Sequence, residues 1–147
     1  MYDHILFPTD GSAGTTAAAG HAAELASTYD ATVHVLSVID TRNRFESPSA
    51  GISAAVWEET ERERAEEAIE SAVSAFPDHV NTDRITSEGV PKTAILEYVD
   101  EHPIDLVVMA THGRTGLDHY LIGSVAEKVV RQCPAPVMTV RQGDEEE

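Results

Sequence analysis

Residues 106–140 read LVVMATHGRTGLDHYLIGSVAEKVVRQCPAPVMTV, and the order of apolar, glycine-bearing and helical pieces within them decides the fold. Residues 106–109 are a short, wholly apolar run between Asp105 and Thr111, which suits a strand buried on both faces. The stretch 110–116 that follows holds two glycines and an arginine. That composition lets backbone N–H groups turn inward around an anion without interference from Cβ atoms. Gly123-Ser124 then opens a predicted helix with Val125, Val129 and Val130 on its apolar face. The N-terminus of a helix carries about half a positive charge, so a phosphate is stabilised there. Pro134 and Pro136 stop the helix, and Val137–Val140 read as a second buried strand.

Upstream, strands and helices alternate. Ile5, Leu6 and Phe7 form a first strand too short to be a helix, ending at the turn Pro8-Thr9-Asp10-Gly11-Ser12, where Asp10 or Ser12 is placed to cap the next helix. Over 15–29, Ala18, Ala22, Leu25, Ala26 and Tyr29 recur at helical spacing, and the alanines allow close approach to a sheet. The β-branched run 32–38 gives the second strand, with Asp40 after its end. Residues 41–51 lack periodicity and read as an exposed excursion. A long helix follows, with Ala65, Ala68, Ile69, Ala72, Val73 and Phe76 as its stripe; its start, 58–64 (EETERER), is charged all round and is expected to face solvent. Residues 84–87 offer a weak third strand, and Pro91 starts a helix with Ile95, Tyr98 and Val99 on one face. Strands alternating with helices of ten residues or more imply right-handed βαβ units and a parallel sheet covered on both sides. The division expected is one domain over 1–142 and an acidic, disordered tail over 143–147.

Composition narrows the partners. The chain has 147 residues, enough for one core without a staple, and its single cysteine, Cys133, excludes an internal disulfide. No leader or transmembrane-length apolar run is visible, so a cytoplasmic location is expected and a membrane partner is not. Twenty-six acidic residues against 10 basic give a formal charge of −16, which repels nucleic acid at long range. The charge is read as adaptation to high salt, where screening reduces self-repulsion, with an ordinary acidic cytosolic protein as the competing reading. The histidines show no metal-ligand spacing. Gly-x4-Gly-Lys-Ser/Thr and Gly-x-Gly-x-x-Gly are both absent, which removes P-loop NTPases and leaves a nicotinamide dehydrogenase unsupported.

The spacing Gly-x2-Gly-x9-Gly-Ser, with a strand before it and Ser-Val-Ala-Glu-Lys-Val after it, resembles the ATP-binding signature of the universal stress protein family. Here it reads Ala110-Thr111-His112-Gly113, nine residues, then Gly123-Ser124, with Ala110 replacing the first glycine. HILFPTDGS near the start, GVPKTAILEYV in the middle and PAPVMTV near the end fall where that family has comparable segments. The resemblance implies a single-domain, open, doubly wound, Rossmann-like five-stranded parallel sheet of order 3-2-1-4-5. Its first and fourth strands are then neighbours, so their following loops meet where ligands bind in such sheets.

The resemblance also implies a site. Asp10 stands where the family has an aspartate on the ribose hydroxyls, and Pro8 and Thr9 belong to the same turn. Val38 and Met109 match positions lining the adenine, with core burial as the competing reading of both. Ala110, His112, Gly113 and Arg114 make the phosphate loop, and Gly123, Ser124 and Val125 the helix start. Ser124 and Glu127 also satisfy a capping box, which needs no ligand. The implied ligand is ATP with Mg2+ or Mn2+, since a triphosphate approaches a chain of charge −16 poorly without a cation.

The leading expectation is an ATP-dependent stress-response sensor or partner-binding module with an unidentified protein partner. Competing with it are a nucleotide-independent dimeric interaction protein, towards which Ala110 leans, and a slow ATPase. For the last, His112, Arg114 and Asp10 are the only groups on offer, and no catalytic residue is assigned. A phosphoacceptor regulator fails, because Thr86-Ser87-Glu88 and Arg141 stand where that chemistry wants an aspartate and a lysine. The family pairs its last strand with a twin, so a homodimer through Val137–Val140 is expected; an apolar edge left open invites association in any case.

Overall fold

The computed structural model describes residues 1–12, 14–41, 54–111 and 123–141. Nine elements alternate along the chain: β1 (His4–Pro8), α1 (Gly14–Tyr29), β2 (Thr32–Asp40), α2 (Ala54–Val73), β3 (Asn81–Gly89), α3 (Pro91–Glu101), β4 (Leu106–Ala110), α4 (Ser124–Gln132) and β5 (Val137–Val140). The five strands form one parallel sheet in the order β3-β2-β1-β4-β5, as the resemblance implies.

The side-chain period of two divides the strand residues between two cores. Ile5, Phe7, Val33 and Val35 face α1 and α2, where Ala18, Ala22, Ala26, Ile69 and Phe76 close over them. Leu6, Leu36, Val107 and Met109 face the other way, covered by Ile95 and Val99 of α3 and Ala126 and Val129 of α4. Both faces of β1 are therefore dry, which explains its unbroken apolar run. Alanines on α1 cost little side-chain entropy and allow the helix to lie close to β1 and β4. At the amino end, Asp105 Oδ2 accepts the N–H groups of Asp3 (2.7 Å) and His4 (2.9 Å), tying the start of the chain to the head of β4. Those two donors hold its carboxyl below the ordinary value, the Asp3 amide more than the His4 amide.

Four expectations change. The third strand is nine residues long, not four, and pairs with β2 from Thr32↔Asn81 to Asp40↔Gly89. Its polar sequence hid it, because an edge strand carries little apolar signal and often bears charge. Val130 is not on the buried face of α4 but 48% exposed. With about 100° per residue, the stripe centred on Ala126, Val129 and Cys133 leaves position 130 well round the helix. Of β5, only Val140 is buried and the other three residues are half-exposed, because β5 lies at the sheet edge. Residues 58–64 do not all face solvent: Glu58 and Glu61 are half-buried.

Candidate functional site

The winding direction reverses between β1 and β4, so the crevice beyond their carboxyl ends is where a ligand of this fold is sought. On the β1 side, Pro8 and Thr9 are buried and Thr9 N–H donates to Leu36 O at 2.8 Å, fixing the turn to β2. Asp10 Oδ1 accepts the N–H of Ser12 at 2.9 Å, and Thr9 Oγ1 accepts that of Gly11 at 3.2 Å. Asp10 thus closes its own turn, ahead of α1, which begins at Gly14. Gly11 sits at φ +81°, and a Cβ there would come within 3.3 Å of Ala68 Cβ. The positive φ calls for glycine, and the tight approach to Ala68 adds to that preference. The hydroxyl of Ser12 is buried with no hydrogen-bond partner among the described residues.

On the β4 side, Gly123 N–H donates to Thr111 O at 2.7 Å, and Thr111 N–H to Val140 O at 3.1 Å. The first turn of α4 is thereby pinned to the carboxyl end of β4. Gly123, not Ser124, is the N-cap; its carbonyl accepts Glu127 N–H at 2.9 Å, and no side chain among the described residues caps the helix. The Ser-x-x-Glu pattern therefore forms no capping box. Ser124 is the first helical residue and is exposed. Among the described residues no side chain caps the orphan N–H groups of the first turn, and such groups are suited to an anion. Val125 beside it is half-buried against the second core.

A shallow pocket opens on the β1/β2 side between Asp10, Ser37, Val38, Glu61, Arg64 and Ala65. Val38 is brought to its wall, whereas Met109 is 5% exposed and lies within the second core. Ala110, half-buried, ends β4. Glu61 and Arg64 were missed by sequence reasoning, which assigned both to a solvated face. They pair at 3.4 Å, with the glutamate side chain only 17% exposed. A half-buried Glu in an EETERER run gives no periodic signal; only the seating of α2 on β2 identifies it. His112, Gly113 and Arg114 lie outside the described residues, as does the tail 143–147. Cys133 is half-buried, and desolvation pushes its thiol up, away from the reactive thiolate.

Among the described residues, no three His, Cys, Asp or Glu side chains are grouped to hold a metal ion. No helix of the described residues is long and apolar enough to cross a membrane.

Fold and crevice together define a doubly wound α/β domain with its candidate site at the switch point between β1 and β4. Comparison with known proteins places it further: residues 1–141 match the model of the universal stress protein family, and the chain belongs to that family. A universal stress protein of Methanocaldococcus jannaschii, MJ0531, is 35% identical over 153 aligned positions, covering 99% of this chain and 86% of the relative. The solved structure of MJ0577 superposes with a TM-score of 0.84 at 27% identity, covering 98% of this chain and 99% of that one. A universal stress protein from Archaeoglobus fulgidus, solved in complex with dAMP, has a TM-score of 0.71 at 21% identity, covering 95% and 98%.

Proposed function

We propose that this chain binds ATP, with Mg2+ or Mn2+ carried in by the nucleotide, and works as a nucleotide-dependent stress sensor or partner-binding module in the cytoplasm. One observation carries the reading: the first turn of α4, whose N-cap is Gly123, is pinned by that residue to the carboxyl end of β4, beside the strand whose turn presents Asp10. That an A. fulgidus relative of the same fold is bound to dAMP supports an adenine nucleotide as the class.

The residues present fit such a ligand. The α4 N–H groups and the Ser124 hydroxyl donate to phosphate oxygens, and Arg114 adds a planar donor fork. Gly113 and Ala110 keep the loop side chains small, and His112 adds one polar contact. Asp10, ionised, accepts from ribose hydroxyls, while Pro8 and Thr9 fix its turn and Val38 forms the apolar wall for the base. Met109, at the end of β4, completes the apolar lining for the base, and Val125 belongs to the first turn of α4 that takes the phosphates. The divalent cation neutralises phosphate charge, which matters in a chain of −16.

Freshly purified protein, prepared with magnesium, denatured and read by mass spectrometry, is expected to release ATP or ADP in near-stoichiometric amount. A protein that releases none, and shows no heat with added ATP in calorimetry, leaves the nucleotide-independent dimeric module as the function.

The homodimer is proposed through β5, whose outer edge pairs with no strand among the described residues. High-salt adaptation is proposed from the charge. One salt series tests both: the melting midpoint is expected to rise steeply from dilute buffer to molar salt, with light scattering reading twice the chain mass. Full stability in dilute buffer removes the salt reading, and a clean monomer removes the dimer.

A further inference from the structure

At the amino ends of the strands, opposite the candidate site, titratable side chains from three elements are joined in one chain of contacts. His4 Nδ1 of β1 lies 3.1 Å from His34 Nε2 of β2, and His34 Nδ1 lies 2.7 Å from the Tyr98 hydroxyl of α3. At the C-cap just past α3, His102 Nδ1 sits 3.0 Å from Tyr98 O, and the two rings stack at 3.8 Å and 13°. His34 is only 6% exposed. The charged groups around it are Asp83, its register partner on β3, and His4 and His102 when protonated. Asp105 holds the His4 backbone N–H on the β4 side.

Two imidazole nitrogens facing each other at 3.1 Å share one hydrogen. If His4 Nδ1 carries it, His34 Nε2 accepts and His34 Nδ1–H donates to the tyrosine oxygen. If His34 Nε2 carries it, His4 Nδ1 accepts. In either arrangement the pair takes up one proton without losing a contact. A second proton turns N–H against N–H and sets two cations side by side in a largely dry place.

We propose that the His4–His34–Tyr98 chain is an acid-sensitive latch, which holds α3 on the amino ends of β1 and β2 while the imidazole pair carries at most one proton and releases α3 when a second is bound. The latch stands whether or not the crevice at the other end of the sheet binds nucleotide. Burial is the largest influence on His34 and lowers its pKa from the ordinary 6.5, outweighing the opposing pull of Asp83. Below that value the unfolded or opened chain therefore binds more protons than the closed one. Stability contributed by the latch is present above pH 6.5 and is lost as pH falls, by up to about tenfold in the closing equilibrium per pH unit for each excluded proton. Carboxylate protonation works the other way, since it relieves self-repulsion in a chain of −16. α3 also packs on α4 through the second core, so its release loosens α4 as well.

Amide hydrogen exchange at fixed ionic strength, from about pH 7.5 down to about pH 5, corrected for intrinsic rates, tests the latch in wild type and His34→Gln. In wild type, α3 amides are expected to lose protection by up to about tenfold per pH unit below the ordinary histidine range while α1 amides hold, and in His34→Gln the loss is expected to flatten. An unchanged pH dependence in His34→Gln, or none in wild type, overturns the proposal. If His34→Gln does not fold, imidazole nitrogen NMR of the wild type decides. One proton shared by His4 and His34, with α3 amide signals moving only at the second uptake, supports the latch. Two independent titrations in the ordinary histidine range, with α3 unmoved, overturn it.

Discussion

Phe7→Ala is expected to cost about 3–5 kcal/mol of folding stability, a large share of the roughly 5–15 kcal/mol that a domain of this kind possesses. Phe7 is fully buried in the central strand, edge-to-face with Phe76 at 5.9 Å and 86°, and sits at the junction of α1, α2 and the sheet. Removing the ring loses its transfer energy and leaves a cavity that a rigid central strand cannot close. Phe7→Leu, which keeps most of the volume, should cost about 1 kcal/mol. Phe76→Ala should fall below Phe7→Ala because Phe76 lies beyond the end of α2 at the rim of the cluster. Urea denaturation in saturating salt gives the differences, and a coupling of about 0.5–1.5 kcal/mol between the two rings is expected from the double mutant. A Phe7→Ala cost below about 1 kcal/mol would mean that the first core is not close-packed around this ring.

The double variant Gly123→Val, Ser124→Ala should weaken binding of magnesium ATP by about 100-fold or more, equivalent to about 2.7 kcal/mol, while the fold survives. Gly123 has φ −69° and ψ 160°, extended values that valine adopts without strain, so the substitution acts through bulk at the helix N-terminus and not through the backbone. Ser124 lies inside the helix and not at its N-cap, so its removal is expected to take away a phosphate donor and to leave helix stability nearly unchanged. Isothermal calorimetry gives the affinity and circular dichroism the melting midpoint. Binding retained within about threefold would place the nucleotide away from α4.

The strands with two dry faces were legible in the sequence because burial on both sides leaves no polar alternation: Ile5, Leu6 and Phe7 in β1 and the apolar run of β4. The turn after β1 was legible for a related reason, since backbone that must turn tightly needs particular residues, Gly11 at φ +81° among them. β3 was only partly legible, because what holds an edge strand is its backbone ladder to β2, which polar side chains satisfy as well as apolar ones. The capping box expected of Ser124 and Glu127 does not form. Ser-x-x-Glu marks a capping box only when serine occupies the N-cap, and here the Gly123 N–H bond to Thr111 starts the helix one residue earlier.

By itself the sequence determined the alternation of strands and helices, the apolar stripes of α1 and α3, and the placing of a turn aspartate and a glycine-serine helix start. Each is decided within a few residues by backbone sterics or by the period of burial. Tertiary structure alone decided which distant groups meet. Glu61 reaches the pocket beside Asp10 because Ala68 packs over Gly11 and seats α2 there. His4 meets His34 across 30 residues, and His34 meets Tyr98 across 64, because parallel strand register and the packing of α3 bring them together. Such pairings carry no local propensity. They are fixed by the burial of whole faces, a property of the assembled sheet and its helices and not of any short stretch of chain.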